Sequence, residues 1–238
     1  MQFAGFAAAA AALFAFASIS AMAQPALTPV EEARVRALVR EVLAANPELV
    51  EEALLEAQTK RTARAAAALA ADPRHFSVGP KNAAVTIVEF FDYQCGYCRA
   101  ATPWVTAQTK RKDARVVFVE YPVVGGAGSE EAARAALASI RQGKYLPFHQ
   151  ALMAHRGAFD SNAVNAVAKR AGLDVPRLRK DMYDSAVDQL LRANLERGSA
   201  LGVTGTPAFF INGEFTSGYD RERLAALTKT GPKTQAVR

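Results

Sequence analysis

The chain has 238 residues, half of them hydrophobic and 22% charged, enough to bury the core of one large domain or of one domain plus an extension. Its formal net charge of +6 comes from basic residues scattered among acidic ones rather than clustered with aromatics, which argues against a nucleic-acid partner and for a solvated, mildly basic surface. Only 2 cysteines occur, Cys95 and Cys98, so a structural disulfide network is excluded and any sulfur chemistry belongs to one site.

In chain order, the first segment stands apart. Residues 3–23 are uncharged, rich in Ala and Phe, and end in Ala21-Met22-Ala23, a small-residue cleavage pattern ahead of Gln24. Residues 1–23 therefore read as a secretory signal peptide, although no Lys or Arg precedes the apolar run. An uncleaved membrane anchor is the competing reading, since a span needs about 20 apolar residues. Export places the protein in a bacterial envelope compartment, the periplasm, which is oxidising.

Residues 24–72 form a helical extension. Thr28-Pro29-Val30-Glu31 is a capping box with Pro at the first helical position. Val35, Leu38, Val39 and Val42 then trace one helical face, and a second helix opens at Asn46-Pro47-Glu48 with Leu49, Val50, Ala53, Leu54 and Ala57 apolar. Asp72-Pro73 ends the run. Two short amphipathic helices must cover their stripes, either by packing back on the rest of the chain or by self-association, the preferred reading.

The apolar run Val85–Phe91 reads as a buried strand, and Arg99–Ala107 as a helix that Pro103 should kink. Between them lies Phe91-Asp92-Tyr93-Gln94-Cys95-Gly96-Tyr97-Cys98, a dithiol between a strand and a helix start, as in thioredoxin-type redox sites. Only a thiolate attacks a disulfide, and the free N–H groups and dipole of a helix start favour one. Cys95 is expected there, exposed, as the attacking thiol, with Cys98 one turn deeper to resolve the mixed disulfide. Gly96 adds little bulk and Tyr97 offers a ring beside the sulfur. Neither is cationic, which predicts a less oxidising couple than a His-containing spacer would give.

Zinc usually needs four ligands, and only His75, His149 and His155 accompany the pair, so no metal is expected. A static disulfide over so short a loop would gain little. A copper-binding or holdase protein, with thiolates gathered in an oligomer, is the hypothesis from another class.

Beyond the dithiol, Val116–Glu120 reads as a strand, residues from Ser129 to about Gly198 as helices, and Pro207–Ile211 with Glu214–Ser217 as a hairpin turning at Asn212-Gly213. A last helix runs from Asp220 to about Lys229. The dithiol segment, Ser129-Glu130-Glu131-Ala132-Ala133, Gln142–Phe148 and Gly202–Gly213 resemble, in that order, the DsbA-like branch of thioredoxin-fold proteins. The extension with Asn46-Pro47-Glu48-Leu49 is similar to that of ScsC and Com-type members, some of which trimerise through it.

The resemblance implies an α/β thioredoxin fold over residues 73–238, with a helical insertion at about 129–185. It implies that Thr206-Pro207 holds a cis-proline facing the dithiol and pairs with a substrate peptide. It further implies that Glu89 is a buried carboxylate handling the proton of Cys98. An edge-facing, solvated Glu89 is the alternative. Tyr93 and Phe91 would flank the site or simply fill the core, and His149 would be a surface or satisfied core histidine. The spacer and the Thr before Pro207 look like an isomerase-type site on a DsbA-like scaffold. The expected activity is a periplasmic thiol–disulfide isomerase or reductase, with a DsbA-like oxidase as the alternative. Its expected partners are unfolded or misoxidised secreted proteins, a membrane redox partner protein, and further copies of the chain as a homo-oligomer, a trimer by resemblance. No cofactor is implied.

Overall fold

A computed structural model describes residues 27–229. The expected signal segment, residues 1–23, lies outside the described residues, and among the described residues no helix is long and apolar enough to cross a membrane.

Helices α1 (Pro29–Ala45) and α2 (Pro47–Ala71) come first. The α1 capping box forms as expected, with the Glu31 amide donating to Thr28 Oγ1 and Glu31 accepting from the Thr28 amide. None of the α1 residues is buried. The second helix runs 25 residues and ends where Asp72-Pro73 is expected to break it, because Lys60–Ala71 is composed of good helix formers until Pro73 withdraws a donor. The chain divides into two compact units, one ending at Glu52 and the other beginning at Ala53. Near the C-terminal end of α2, Ala66, Leu69 and Ala70 pack into a core cluster with Val88, Phe90, Val117 and Phe210.

The second unit is built on five strands: β1 (Ser77–Val78), β2 (Val85–Phe91), β3 (Ala114–Glu120), β4 (Ala208–Ile211) and β5 (Glu214–Ser217), in the spatial order β1-β3-β2-β4-β5. Strands β2 and β3 are parallel, and the other neighbours are antiparallel. β1 escapes sequence reading because two residues carry no periodicity.

Central β2 is buried on both faces, which is why its residues read as a continuous apolar run rather than an alternation. Side chains alternate across a strand. Val85, Ile87 and Phe91 therefore face one cluster, with Cys98, Ala101 and Val105 of α3 (Gly96–Thr109), while Val88 and Phe90 face the cluster that holds Leu69. α3 continues through Pro103. Between β3 and β4 lie α4 (Gly126–Ser139), a short 3-10 turn at Ile140–Gln142, α5 (Tyr145–Ala154), α6 (Ser161–Arg170), α7 (Val175–Asp181) and α8 (Ser185–Ala200). α9 (Arg221–Lys229) follows β5 and adds Leu224 and Leu227 to the α3-side core. Asp160, Asp174 and Asp184 cap α6, α7 and α8 through their side chains.

Candidate active site

The site forms where β2 ends and α3 begins. Strand geometry delivers Phe91 to the core, and the chain then turns through Asp92, Tyr93 and Gln94 to place Cys95 at the N-cap of α3. The Cys95 amide donates to the Asp92 carbonyl at 3.1 Å, and the Cys95 carbonyl accepts from the Arg99 amide at 3.2 Å.

Cys95 was expected to be exposed, but it is only 5% accessible. The loop before β4 covers it: Cys95 Sγ, as a thiol, donates to the Thr206 carbonyl at 3.1 Å. The Thr206–Pro207 peptide bond beside it is cis. Tyr97, in the spacer, is 73% exposed and stands clear of the core. The structure thus brings Cys95, Cys98, Thr206 and Pro207 together and leaves Tyr97 at the rim.

The two sulfurs are reduced and electrostatically opposite. The Cys95 thiol falls from 9.0 to about 5, chiefly through a hydrogen bond from the Cys98 thiol, then through the Thr206 side chain and the amides of Cys98 and Tyr97, against the opposing effect of burial. These amides are the free donors of the first α3 turn, so the helix start stabilises the thiolate as the sequence suggested. Cys98 is fully buried, and burial, the Cys95 thiol and the Glu89 charge all push its pKa far above the ordinary thiol value.

Glu89 lies on β2, on the same face as Ile87 and Phe91, and is 1% exposed. The edge-facing alternative does not apply. Burial raises its carboxyl from 4.5 to about 8, and Oε2 has no hydrogen-bond partner. Its influence on Cys98 places the carboxyl within electrostatic reach of the resolving thiol.

Sequence reasoning missed three parts of this surrounding. The first is Asp92, a buried carboxylate that accepts from the Gln94 amide at 2.7 Å, the Val124 amide at 2.8 Å and Ser129 Oγ at 2.6 Å. It ties the dithiol loop to the start of α4. The second is Gly125, whose carbonyl accepts from Gln94 Nε2 at 3.0 Å and whose amide donates to Ser129 Oγ at 3.0 Å, so that a side chain here would have to displace Gln94. The third is Glu120, two residues beyond Phe118 on the same face of β3. It is 1% exposed, accepts from Tyr145 Oη at 2.5 Å, and is raised to about 8 by burial. A carboxylate ending the apolar run Val116–Val119 was the available signal.

Tyr93 and Phe91 are core residues, and Tyr93 Oη pairs with His149 Nδ1 at 3.1 Å. His149 is buried against Phe91, Phe118 and Tyr145, and burial lowers its pKa to about 3, so it is a neutral core histidine.

The profile of the DSBA-like thioredoxin domain matches residues 86–227, which span β2, the dithiol, the helical insertion and most of α9. The chain belongs to the DsbA-like thioredoxin-domain family. A thioredoxin-like oxidoreductase from Silicibacter pomeroyi DSS-3 is 36% identical, with a TM-score of 0.64, covering 68% of this chain and 94% of that one. A linker-deleted ScsC from Proteus mirabilis is 30% identical with a TM-score of 0.62, and covers 87% of this chain and 97% of that one. The thiol–disulfide exchange protein alpha-DsbA2 from Wolbachia pipientis is 26% identical with a TM-score of 0.65, over 73% of this chain and 97% of that one. Among curated proteins, the Na(+)/H(+) antiporter NhaA 1 of Salinispora arenicola is 33% identical over 151 residues, 62% of this chain. The match covers only 23% of the antiporter, so the chain corresponds to a fraction of that protein's length. DsbA-like domains of this fold belong to thiol–disulfide oxidoreductases.

Proposed function

We propose that this DsbA-like chain is a periplasmic thiol–disulfide isomerase or reductase acting on misoxidised or unfolded secreted proteins. The observation that carries thiol–disulfide exchange is the asymmetry of the dithiol: Cys95 held toward the thiolate at about 5, Cys98 buried and held as the thiol. Cys95 Sγ⁻ attacks one sulfur of a substrate disulfide, forming the mixed disulfide and releasing the other substrate sulfur as a thiolate. In isomerisation, that or another substrate thiolate attacks the mixed disulfide, forms a new substrate disulfide and returns Cys95 as a thiolate. In reduction, Cys98 passes its proton to Glu89 and attacks Cys95 Sγ. The Cys95–Cys98 disulfide forms and the substrate sulfur leaves as a thiolate. A membrane electron donor then restores the dithiol by the reverse exchange.

The residue roles follow from this chemistry. Ionised Glu89 takes the Cys98 proton; with a pKa raised to about 8 this is the minor form at neutral pH, and the step gains as pH rises. Thr206 and Pro207 border the attacking sulfur, where the substrate backbone would lie, and exposed Tyr97 supplies an apolar contact beside it. The isomerase or reductase side is favoured by the spacer, which carries no cation to deepen the stabilisation of the thiolate. It is also favoured by α1, whose apolar residues Val35, Leu38, Val39 and Val42 are all exposed in the single chain. Self-association through the extension, as the trimer that the likeness to ScsC suggests, would cover them and gather several dithiols. The Ala21-Met22-Ala23 segment supports export.

A DsbA-like oxidase is the second reading, favoured by the lowered Cys95 pKa, because stabilising the reduced form makes a dithiol more oxidising. Recovery of activity from a disulfide-scrambled protein, with Cys95→Ser as control, separates the two. Recovery that vanishes in the control establishes the isomerase. Oxidation of a reduced substrate without recovery of the scrambled one establishes the oxidase.

A further inference from the structure

A cleft of about 520 Å³ lies along α3, away from the contact between Cys95 and Thr206. One wall is Arg99, Thr102 and Thr106 of α3 with Lys110 at its C-cap, and the other includes Met153 of α5 and Arg156 just beyond it. Its lining holds three cations, Arg99, Lys110 and Arg156, and no carboxylate. None of the three is ion-paired among the described residues, unlike neighbouring Arg111, which is held by Asp113.

The cleft begins one helical turn beyond Cys95, at Arg99. Arg99, Thr102 and Thr106 follow Cys95 at helical intervals that keep them on one face of α3. A chain joined to Cys95 that descends this face meets Arg99 first and Lys110 last. From Cys95 to Lys110 the helical rise is about 22 Å, a span for about seven extended residues. Pro103, Ala107, Ala154 and Met153 supply apolar contact between the charges.

We propose that this cleft is a docking groove for an acidic segment of the polypeptide whose cysteine is engaged at Cys95. It selects substrates with Asp or Glu within a few residues of the reactive cysteine. The proposal rests on Cys95 being the attacking thiol, and it adds a substrate preference to that reading. A cationic groove that begins one turn from Cys95 suits a peptide joined to that sulfur better than a lipid surface.

The test uses full-length mature protein and two synthetic peptides that differ only in a run of glutamates or of lysines beside a single cysteine. Each is supplied as a mixed disulfide with a small thiol for the exchange assay, and with the cysteine replaced by serine for fluorescence anisotropy. The acidic peptide is expected to exchange about tenfold faster and bind about tenfold tighter, as three rim ion pairs would give. The difference should shrink as salt rises above ~0.1 M. The double variant Lys110→Glu with Arg156→Glu should erase or invert the preference while exchanging a small-molecule disulfide at the unchanged rate.

Equal binding of both peptides, or a preference that survives the double variant, overturns the proposal. So does binding of anionic phospholipid vesicles without binding of the acidic serine peptide. Failure of every disulfide to exchange sinks the redox reading instead, since anisotropy reports the groove independently of the sulfur chemistry.

Discussion

Replacing Glu89 by Gln tests the buried carboxyl through both stability and rate. The folded chain holds the Glu89 proton up to about pH 8, whereas an ordinary glutamate releases it near 4.5. The raised pKa fixes the sign: this carboxyl stabilises the fold fully below the unfolded value, and the contribution is lost as pH rises through the folded one. At neutral pH the unfolded chain is favoured by about 3 kcal/mol, from roughly two and a half pH units at about 1.4 kcal/mol each, and by rather more in mild alkali. Glu89→Gln removes that titration. A buried amide adds its own desolvation cost of about 1–3 kcal/mol, but that offset does not change with pH. Glu120, raised to a similar value, is present in both proteins and cancels. Urea unfolding of the reduced proteins across acid to alkaline pH should show Glu89→Gln gaining about 3 kcal/mol on the native protein between pH ~4 and neutrality. In the same variant, the attack of Cys98 on a mixed disulfide should slow by about a hundredfold. Stability curves that run parallel with pH would refute the reasoning, because a carboxyl without a raised pKa leaves no such slope.

Native alkylation should label Cys95 with a midpoint near pH 5 and leave Cys98 untouched through neutrality, read by mass spectrometry after a timed quench. A midpoint at the ordinary thiol value would remove the proposed thiolate. Asp92→Ala strands the Gln94 and Val124 amides and the Ser129 hydroxyl, and should cost about 3 kcal/mol in denaturant unfolding. A loss below about 1 kcal/mol would mean that Asp92 does not organise the loop. Leu38→Glu with Val42→Glu places charge on the exposed α1 face and should convert an oligomer to monomers in sedimentation. A native chain that already sediments as a monomer ends the self-association reading.

The dithiol and the main strands were legible because their signals are local. Val85–Phe91 and Glu214–Ser217 occupy the ranges that the hydrophobic pattern indicated, and β4 begins one residue later than expected. The capping boxes, Asp caps and turn glycines act over three or four residues, so they too can be read along the chain. The end of α2 was legible in Asp72-Pro73, because Ala and Arg continue a helix without an apolar stripe until a proline withdraws a donor.

Composition, the spacing of Cys95 and Cys98, and the order of the surrounding elements sufficed to indicate a thioredoxin-type redox domain, since each is a property of neighbours in the chain. Tertiary structure alone decided how that dithiol is controlled. Thr206 reaches Cys95 from more than a hundred residues away, and the carbonyl it brings is what hides the sulfur. Glu89 is a buried acid only because β3 and β4 flank its strand and α3 shares the core on its face. Asp92 finds Val124 and Ser129 only when the chain beyond β3 folds back beside the dithiol loop. The lowering at Cys95 comes chiefly from Cys98 and the first-turn amides of α3, which are local, whereas the burial that raises Cys98 and Glu89 does not exist until distant segments meet.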